Sequence, residues 1–152
     1  SPAGRKPFQP ECRSPALPQC DRAALVNAYD NSIAYTDHVL AGAIAWLGRQ
    51  AGRHDPALLY LSDHGESLGE NGLYLHGMPY AVAPPEQTRV PLIAWLPPQT
   101  LAADRLDAGC LRGRLDAPLS HDHLFHTVLG LARVGAGEYR AALDALAPCR
   151  GG

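Results

Sequence analysis

Apolar and small residues recur at Leu25, Tyr29, Ile33, Thr36, Leu40, Ile44 and Leu47, in steps of three or four. That period predicts a long helix over about 21–49, with Asp21 placed to cap it and Gly52 beyond its end. Asn27, Asn31, Asp37 and His38 lie away from this stripe, and they read as a solvated face together with the polar run Asp30-Asn31-Ser32. The pattern then changes. His54-Asp55-Pro56 reads as a turn into a near-continuous apolar run, which predicts a buried strand over 57–62. A second apolar run predicts a strand over 90–96, ended by Pro97-Pro98. Pro91 has no ladder donor, which puts it at the start or edge of that strand. Ser120 is placed to cap a further helix from His121 to Leu131, and a short amphipathic piece spans Tyr139 to Leu146. The segment 83–87 reads as irregular, and 99–117 as weakly patterned. Helix, strand, loop, strand, helix implies α/β layering.

Between the two predicted strands lies LSDHGESLGENGLYLHGMPY. Gly69, Gly72 and Gly77 share it with Leu68, Leu73, Tyr74 and Leu75, so the loop is anchored and shaped rather than disordered. The first twenty residues differ. They carry Pro2, Pro7, Pro10, Pro15 and Pro18 with no period, and they read as the middle of a longer protein. The expected organisation over 1–152 is therefore an irregular segment, 1–20, and a helix and strand core, 21–150.

Composition narrows the function classes. A hydrophobic content of 46% with 18% charged residues suits a packed core. The net charge of −2 offers no basic face to a nucleic-acid backbone, so no nucleic-acid partner is expected. No signal peptide opens the sequence, and the most apolar run, Val39 to Leu47, falls short of a membrane span. Cys12 and Cys20 flank a short proline-containing loop where a local disulfide is sterically easy, whereas Cys110 and Cys149 lie far apart. An even count suits an oxidising compartment; four free thiols in a reducing one is the alternative. The close pairs of a cysteine zinc cluster are absent from the sequence.

Three sets of residues could carry chemistry. Asp63 and His64 stand together at a strand end, where open α/β sheets gather their ligands. Carboxylate oxygen and imidazole nitrogen both suit zinc, and at a strand-to-loop turn adjacent side chains can converge. The competing reading is a turn-capping aspartate beside a histidine bonded to a carbonyl. His76 could bind a phosphoryl oxygen or protonate a leaving group, and Glu66 could orient a ligand. Both could equally be solvated loop residues. His121, His123 and His126 form a rival metal cluster, with first-turn histidines bonded to neighbouring loops as the alternative.

The stretch SDHGESLGENGLYLHGMPYAVAPPEQTRVPLIAWL resembles the zinc-site segment of lipid A phosphoethanolamine transferases. That family includes the colistin-resistance enzymes and lies within the alkaline phosphatase/sulfatase superfamily. NAYDNSIAYTDHVL and PLSHDHLFHTVLGL are similar to the family's helices before and after that segment. The resemblance implies an alkaline phosphatase/sulfatase-like sheet flanked by helices, present here as the C-terminal part of the periplasmic catalytic domain. It assigns Asp63 and His64 as zinc ligands, His76 to the neighbourhood of the phosphoryl group, and Glu66 to the edge of that site. It makes Cys12 and Cys20 a disulfide loop within 1–20; arithmetic then pairs Cys110 with Cys149.

The implied reaction is transfer of phosphoethanolamine from phosphatidylethanolamine to lipid A through a phosphoryl-threonine intermediate, with Zn2+ as cofactor. The implied location is the periplasmic side of the bacterial inner membrane, reached through an N-terminal membrane domain, and the implied phenotype is polymyxin resistance. The threonine nucleophile, a glutamate zinc ligand and another histidine are expected upstream, so this chain alone is expected to be inactive. A sulfatase or phosphodiesterase of the same superfamily shares the Asp-His pair but not the ESLGENGLYLHG continuation. A non-catalytic zinc-binding fragment is the third reading.

Overall fold

The computed structural model describes residues 1–151. Its longest element is α1 (Arg22–Gly48), followed by β1 (Leu58–Leu61), β2 (Ser67–Leu68) and β3 (Tyr74–Leu75). A short helix α2 (Pro85–Thr88), strand β4 (Leu92–Trp95) and helices α3 (Pro98–Ala103), α4 (Ala108–Arg112) and α5 (Asp122–Leu131) complete the order, with short 3-10 turns before α1, between β2 and β3, and after α5. β1 pairs with β4, and β2 pairs antiparallel with β3 in the register Ser67 to Leu75 and Leu68 to Tyr74. No helix among the described residues is long and apolar enough to cross a membrane.

The chain divides into two compact units, the first from Ser1–Trp46 and Tyr60–Ile93, the second from Leu47–Leu59 and the chain beyond Ala94. In the first unit α1 begins as the sequence implies. The Asp21 carboxylate accepts the amides of Ala23 at 2.9 Å and Ala24 at 3.3 Å, satisfying two of the otherwise unpaired donors of the first turn. Ala24 and Leu25 are buried, but Ile33 stands half exposed. The apolar stripe is thus fully buried only at its first turn, while Tyr29, Thr36, Leu40, Ile44 and Leu47 are half-buried.

Asn31 corrects the solvated reading of the polar run. It is fully buried, and its side chain is fully engaged. Its amide nitrogen donates to the Phe8 carbonyl at 2.9 Å and to Glu11 Oε1 at 2.7 Å, while its oxygen accepts the Phe8 amide at 3.0 Å. Hydrogen bonds from Asn27 to the Pro10 carbonyl and from the Cys12 amide to the Ala24 carbonyl continue the contact, and the Cys12–Cys20 disulfide closes the segment with its Cα atoms 5.8 Å apart. The proline-rich start has no periodic face to bury, so it docks on α1 through polar groups. Lys6 donates to Glu11 at 2.8 Å, and this bond, followed by that from Asn31, holds the Glu11 carboxyl below the ordinary glutamate range.

In the second unit the weakly patterned segment forms α3 and α4. The Asp107 carboxylate caps α4 by accepting the Cys110 amide, and Cys110 is bonded to Cys149 with a Cα separation of 5.5 Å. Leu106, Leu146 and Cys149 are buried together with Asp144, whose carboxylate accepts from Tyr139 at 2.8 Å, Arg150 at 2.9 Å and the Leu146 amide at 2.9 Å. Burial, then the bond to Asp144, raises the Tyr139 hydroxyl above its ordinary pKa. The expected short amphipathic piece from Tyr139 to Leu146 contains a 3-10 turn, Ala141–Leu143. Ser120 does not cap α5: the helix starts one residue late, and the Ser120 hydroxyl lies 3.3 Å from the Asp122 carboxylate.

The strand expected to be buried, β1, is half-buried, and β4 is mostly exposed, with Leu92 at 38% and Ile93 at 42%.

Two outcomes follow for stability. Asn31→Ala leaves the Phe8 amide and carbonyl and the Glu11 Oε1 atom without the Asn31 side chain and should cost about 1–3 kcal/mol in urea denaturation, since unpaired buried polar groups lose their solvation. Glu70 behaves differently. Backbone amides, its own first and then that of Leu68, hold its carboxyl below the ordinary range, with Arg22 of α1 adding to them. A depressed carboxylate stabilises the fold above its unfolded pKa and loses that contribution as pH falls through the folded value. Glu70→Gln should therefore flatten the acid limb of the stability–pH curve below the ordinary glutamate value.

Candidate metal and phosphoryl site

The end of β1 is folded back on itself by short-range bonds. The Ser62 hydroxyl donates to the His64 carbonyl at 2.8 Å, and the His64 amide donates to Asp63 Oδ1 at 3.1 Å. These bonds put the Asp63 and His64 side chains on one side of the turn, with Asp63 Oδ2 3.6 Å from His64 Nε2. His64 Nδ1 lies 2.9 Å from the Gly65 carbonyl, which can only accept, so Nδ1 carries a proton and the neutral ring has its lone pair on Nε2. Two donors on one tetrahedral zinc stand about 3.3–3.5 Å apart, given bonds of about 2.0–2.1 Å. The pair thus has the spacing, the tautomer and the donor types of two zinc ligands. The 88% exposure of the Asp63 side chain leaves that carboxylate open to further partners.

Glu66 and His76 join from the shaped loop. His76 Nδ1 donates to Glu66 at 3.2 Å, and the His76 ring stacks on His64 with centroids 3.7 Å apart. His64, Glu66 and His76 each offer a ligand atom, all within 4.8 Å of one another, and they are the single such metal-capable group among the described residues. All four residues nominated from the sequence therefore lie in one neighbourhood, in the first unit. The geometry ties His76 to Glu66 and His64, and Asp63 to His64.

Backbone conformation sets up this convergence. Leu75 has φ 64° and Gly77 φ 103°, so the residues on both sides of His76 occupy the left-handed region. Glycine adopts it freely, but leucine does so at a cost of about 1–2 kcal/mol. Gly65 meets a different demand: a β-carbon there would overlap the Glu86 carbonyl, so only glycine lets this turn lie against α2. The Gly65 amide donates to the Gln87 carbonyl at 2.9 Å.

The rival histidine cluster does not assemble. His126 is buried and accepts the Arg140 amide on Nδ1, and His123 Nδ1 faces Ser120. These are the loop-bonding roles foreseen as the alternative. The four threonines also lack a nucleophile's setting: Thr88, Thr100 and Thr127 donate to backbone carbonyls of Pro84, Pro56 and His123, and Thr36 lies within α1. Sequence reasoning missed Gln87, Ser67 and the Leu75 backbone. Gln87 and Ser67 interact across 20 residues, and no local pattern marks either.

Comparison with known proteins gives a consistent result. The family model described as Sulfatase matches residues 2–134. Phosphoethanolamine transferase EptA of Salmonella typhimurium is 43% identical over 146 residues, covering 95% of this chain and 27% of that protein. Phosphatidylethanolamine transferase Mcr-1 of Escherichia coli is 43% identical over 133 residues, covering 88% of this chain and 23% of that protein. The soluble domain of lipooligosaccharide phosphoethanolamine transferase A from Neisseria meningitidis superposes with a TM-score of 0.87 at 39% identity, over 99% of this chain and 46% of that one. The integral membrane form of that transferase fits equally well, with 28% of its length covered. The chain spans about a quarter of the length of the curated relatives it matches.

A direct outcome of the turn geometry is that Gly65→Ala, which forces a β-carbon onto the Glu86 carbonyl, should displace the turn from α2 and quicken hydrogen exchange of the amides across 63–67. Gly72→Ala, where no atom crowds the β-carbon, should leave exchange across 63–67 unchanged although its φ of 75° costs stability.

Proposed function

The chain belongs to the sulfatase family, and from that premise we propose that it is part of a phosphoethanolamine transferase acting on lipid A. The observation that supports this best is the convergence of Asp63, His64, Glu66 and His76 in a chain 43% identical to a named phosphoethanolamine transferase. Phosphatidylethanolamine is the donor. The intact protein works at the periplasmic face of the inner membrane, a setting consistent with its likeness to an integral membrane transferase. The group passes through a threonine outside these 152 residues.

Asp63 and His64 would hold zinc. Bound there, the metal supplies Lewis-acid stabilisation of phosphoryl oxygens and favours the deprotonated form of an attacking hydroxyl. The chain's own residues do the rest. The bond from His64 Nδ1 to the Gly65 carbonyl fixes the tautomer and aims Nε2. His76, with Nδ1 committed to Glu66, keeps Nε2 as the atom that accepts a proton or, once protonated, donates to a phosphoryl oxygen or leaving group. Glu66 sets the orientation of that ring. The half-exposed rings of His64 and His76 leave the site open for a large amphipathic substrate to approach.

In the intact protein, Asp63→Ala and His64→Ala should each abolish addition of phosphoethanolamine to lipid A, read by mass spectrometry, and lower bound zinc. His76→Ala should retain zinc and lose roughly 100-fold or more in rate, the scale of a lost general acid–base group. Unchanged activity and zinc content in both Asp63→Ala and His64→Ala would remove the basis for this reading.

A further inference from the structure

Gln87 touches both arms of the site without being one of its four reactive residues. It lies in α2, is 6% exposed, and makes three hydrogen bonds to the loop. Its carbonyl accepts the Gly65 amide at 2.9 Å. Its side-chain nitrogen donates to the Ser67 hydroxyl at 2.9 Å, and its side-chain oxygen accepts the Met78 amide at 3.3 Å. Gly65 and Ser67 flank Glu66, and Met78 follows His76 by two residues. We propose that Gln87 is the positioning residue that holds His76 against His64 and Glu66.

Magnitudes favour this residue over the contacts the histidines make themselves. The His76–Glu66 pair is open to solvent on the histidine side, at 49% side-chain exposure, and such pairs contribute about 0–1 kcal/mol. That is too little to hold a loop whose Leu75 backbone is itself unfavourable by about 1–2 kcal/mol. A left-handed leucine persists only where neighbouring structure over-determines it. The Gln87 amide supplies such a restraint from a buried position, opposite Ser67, which is 1% exposed. The amide also fits chemically. One side chain must accept from a backbone N–H and donate to a hydroxyl oxygen at once, and among side chains of this length glutamine alone carries a neutral donor and acceptor on one carbon.

The kinetic part of the test rests on the proposed transferase reading; the exchange part does not. In zinc-stripped intact protein, hydrogen–deuterium exchange of the peptide covering 75–82 should quicken at least tenfold in Gln87→Leu. Protection of the Gly65 amide should persist, because its acceptor is a backbone carbonyl. Gln87→Leu combined with Ser67→Ala leaves no buried hydroxyl alone, so stability should recover while fast exchange at 75–82 remains. In the zinc-loaded protein both variants should lose roughly 10- to 100-fold in kcat, with KM for phosphatidylethanolamine within about twofold and zinc content unchanged. Wild-type exchange at 75–82 in Gln87→Leu would overturn the proposal. So would activity that returns with stability in the double variant, or zinc loss that accounts for the lost activity. An intact wild-type protein with no transfer activity would instead count against the transferase reading, and the exchange result would still decide the role of Gln87.

Discussion

Buried polar groups must find partners, and in this chain three such pairings tie its segments together. The largest fully covered side chains are Asn31, Asp144 and Ser67, each hydrogen-bonded, beside a short set of buried apolar residues, Ala24, Leu25, Leu106, Leu146 and Cys149. An unpaired buried polar group costs about 1–3 kcal/mol, so each partnership is specific and one-sided substitutions are expensive. Asn31 fixes the proline-rich start to α1. Asp144 gathers Tyr139, Arg150 and the chain near Leu146. Ser67 and Gln87 join the two arms of the loop that carries the reactive residues. The two disulfides add closure, and loops of these sizes contribute about 2–4 kcal/mol each.

The site follows from the third of these pairings. A turn at the end of β1 supplies Asp63 and His64; a bond from Ser62 shapes the backbone, and the Gly65 carbonyl orients the His64 ring through Nδ1. His76 comes from ten residues beyond Glu66, on backbone that leucine and glycine adopt at left-handed φ. Bringing these two arms within a ring-stacking distance of 3.7 Å requires something rigid behind them. The β2–β3 pairing and α2 provide it, with Gly65 lying flat against the Glu86 carbonyl.

Much of this was legible in the sequence, and for identifiable reasons. The 3.6-residue period of α1, its Asp21 cap and the apolar runs of β1 and β4 are local signals, and the elements fall within a few residues of their expected bounds. Asp63, His64, Glu66 and His76 were candidates because carboxylates and imidazoles cluster among glycines in a short loop, and the resemblance of that stretch to the transferase segment assigned their roles. What was illegible depends on contacts distant in sequence. Asn31 looked solvated because nothing local shows that Phe8 and Glu11 will cover it. Gln87 looked like loop because its partners lie 9 and 20 residues away. Helix spacing left the histidines at 121–126 open between a rival metal cluster and loop-bonding roles, because it cannot show that His126 is committed to the Arg140 amide.

The central claim is that Asp63 and His64 form the metal-binding end of a site whose other arm is His76. The most direct measurement is anomalous diffraction at the zinc edge from crystals of the intact protein. The account predicts a strong peak bonded to the Asp63 carboxylate and to His64 Nε2, with His76 still paired to Glu66. A zinc-loaded crystal with no peak between Asp63 and His64, or with its peak at His121, His123 and His126, would contradict it.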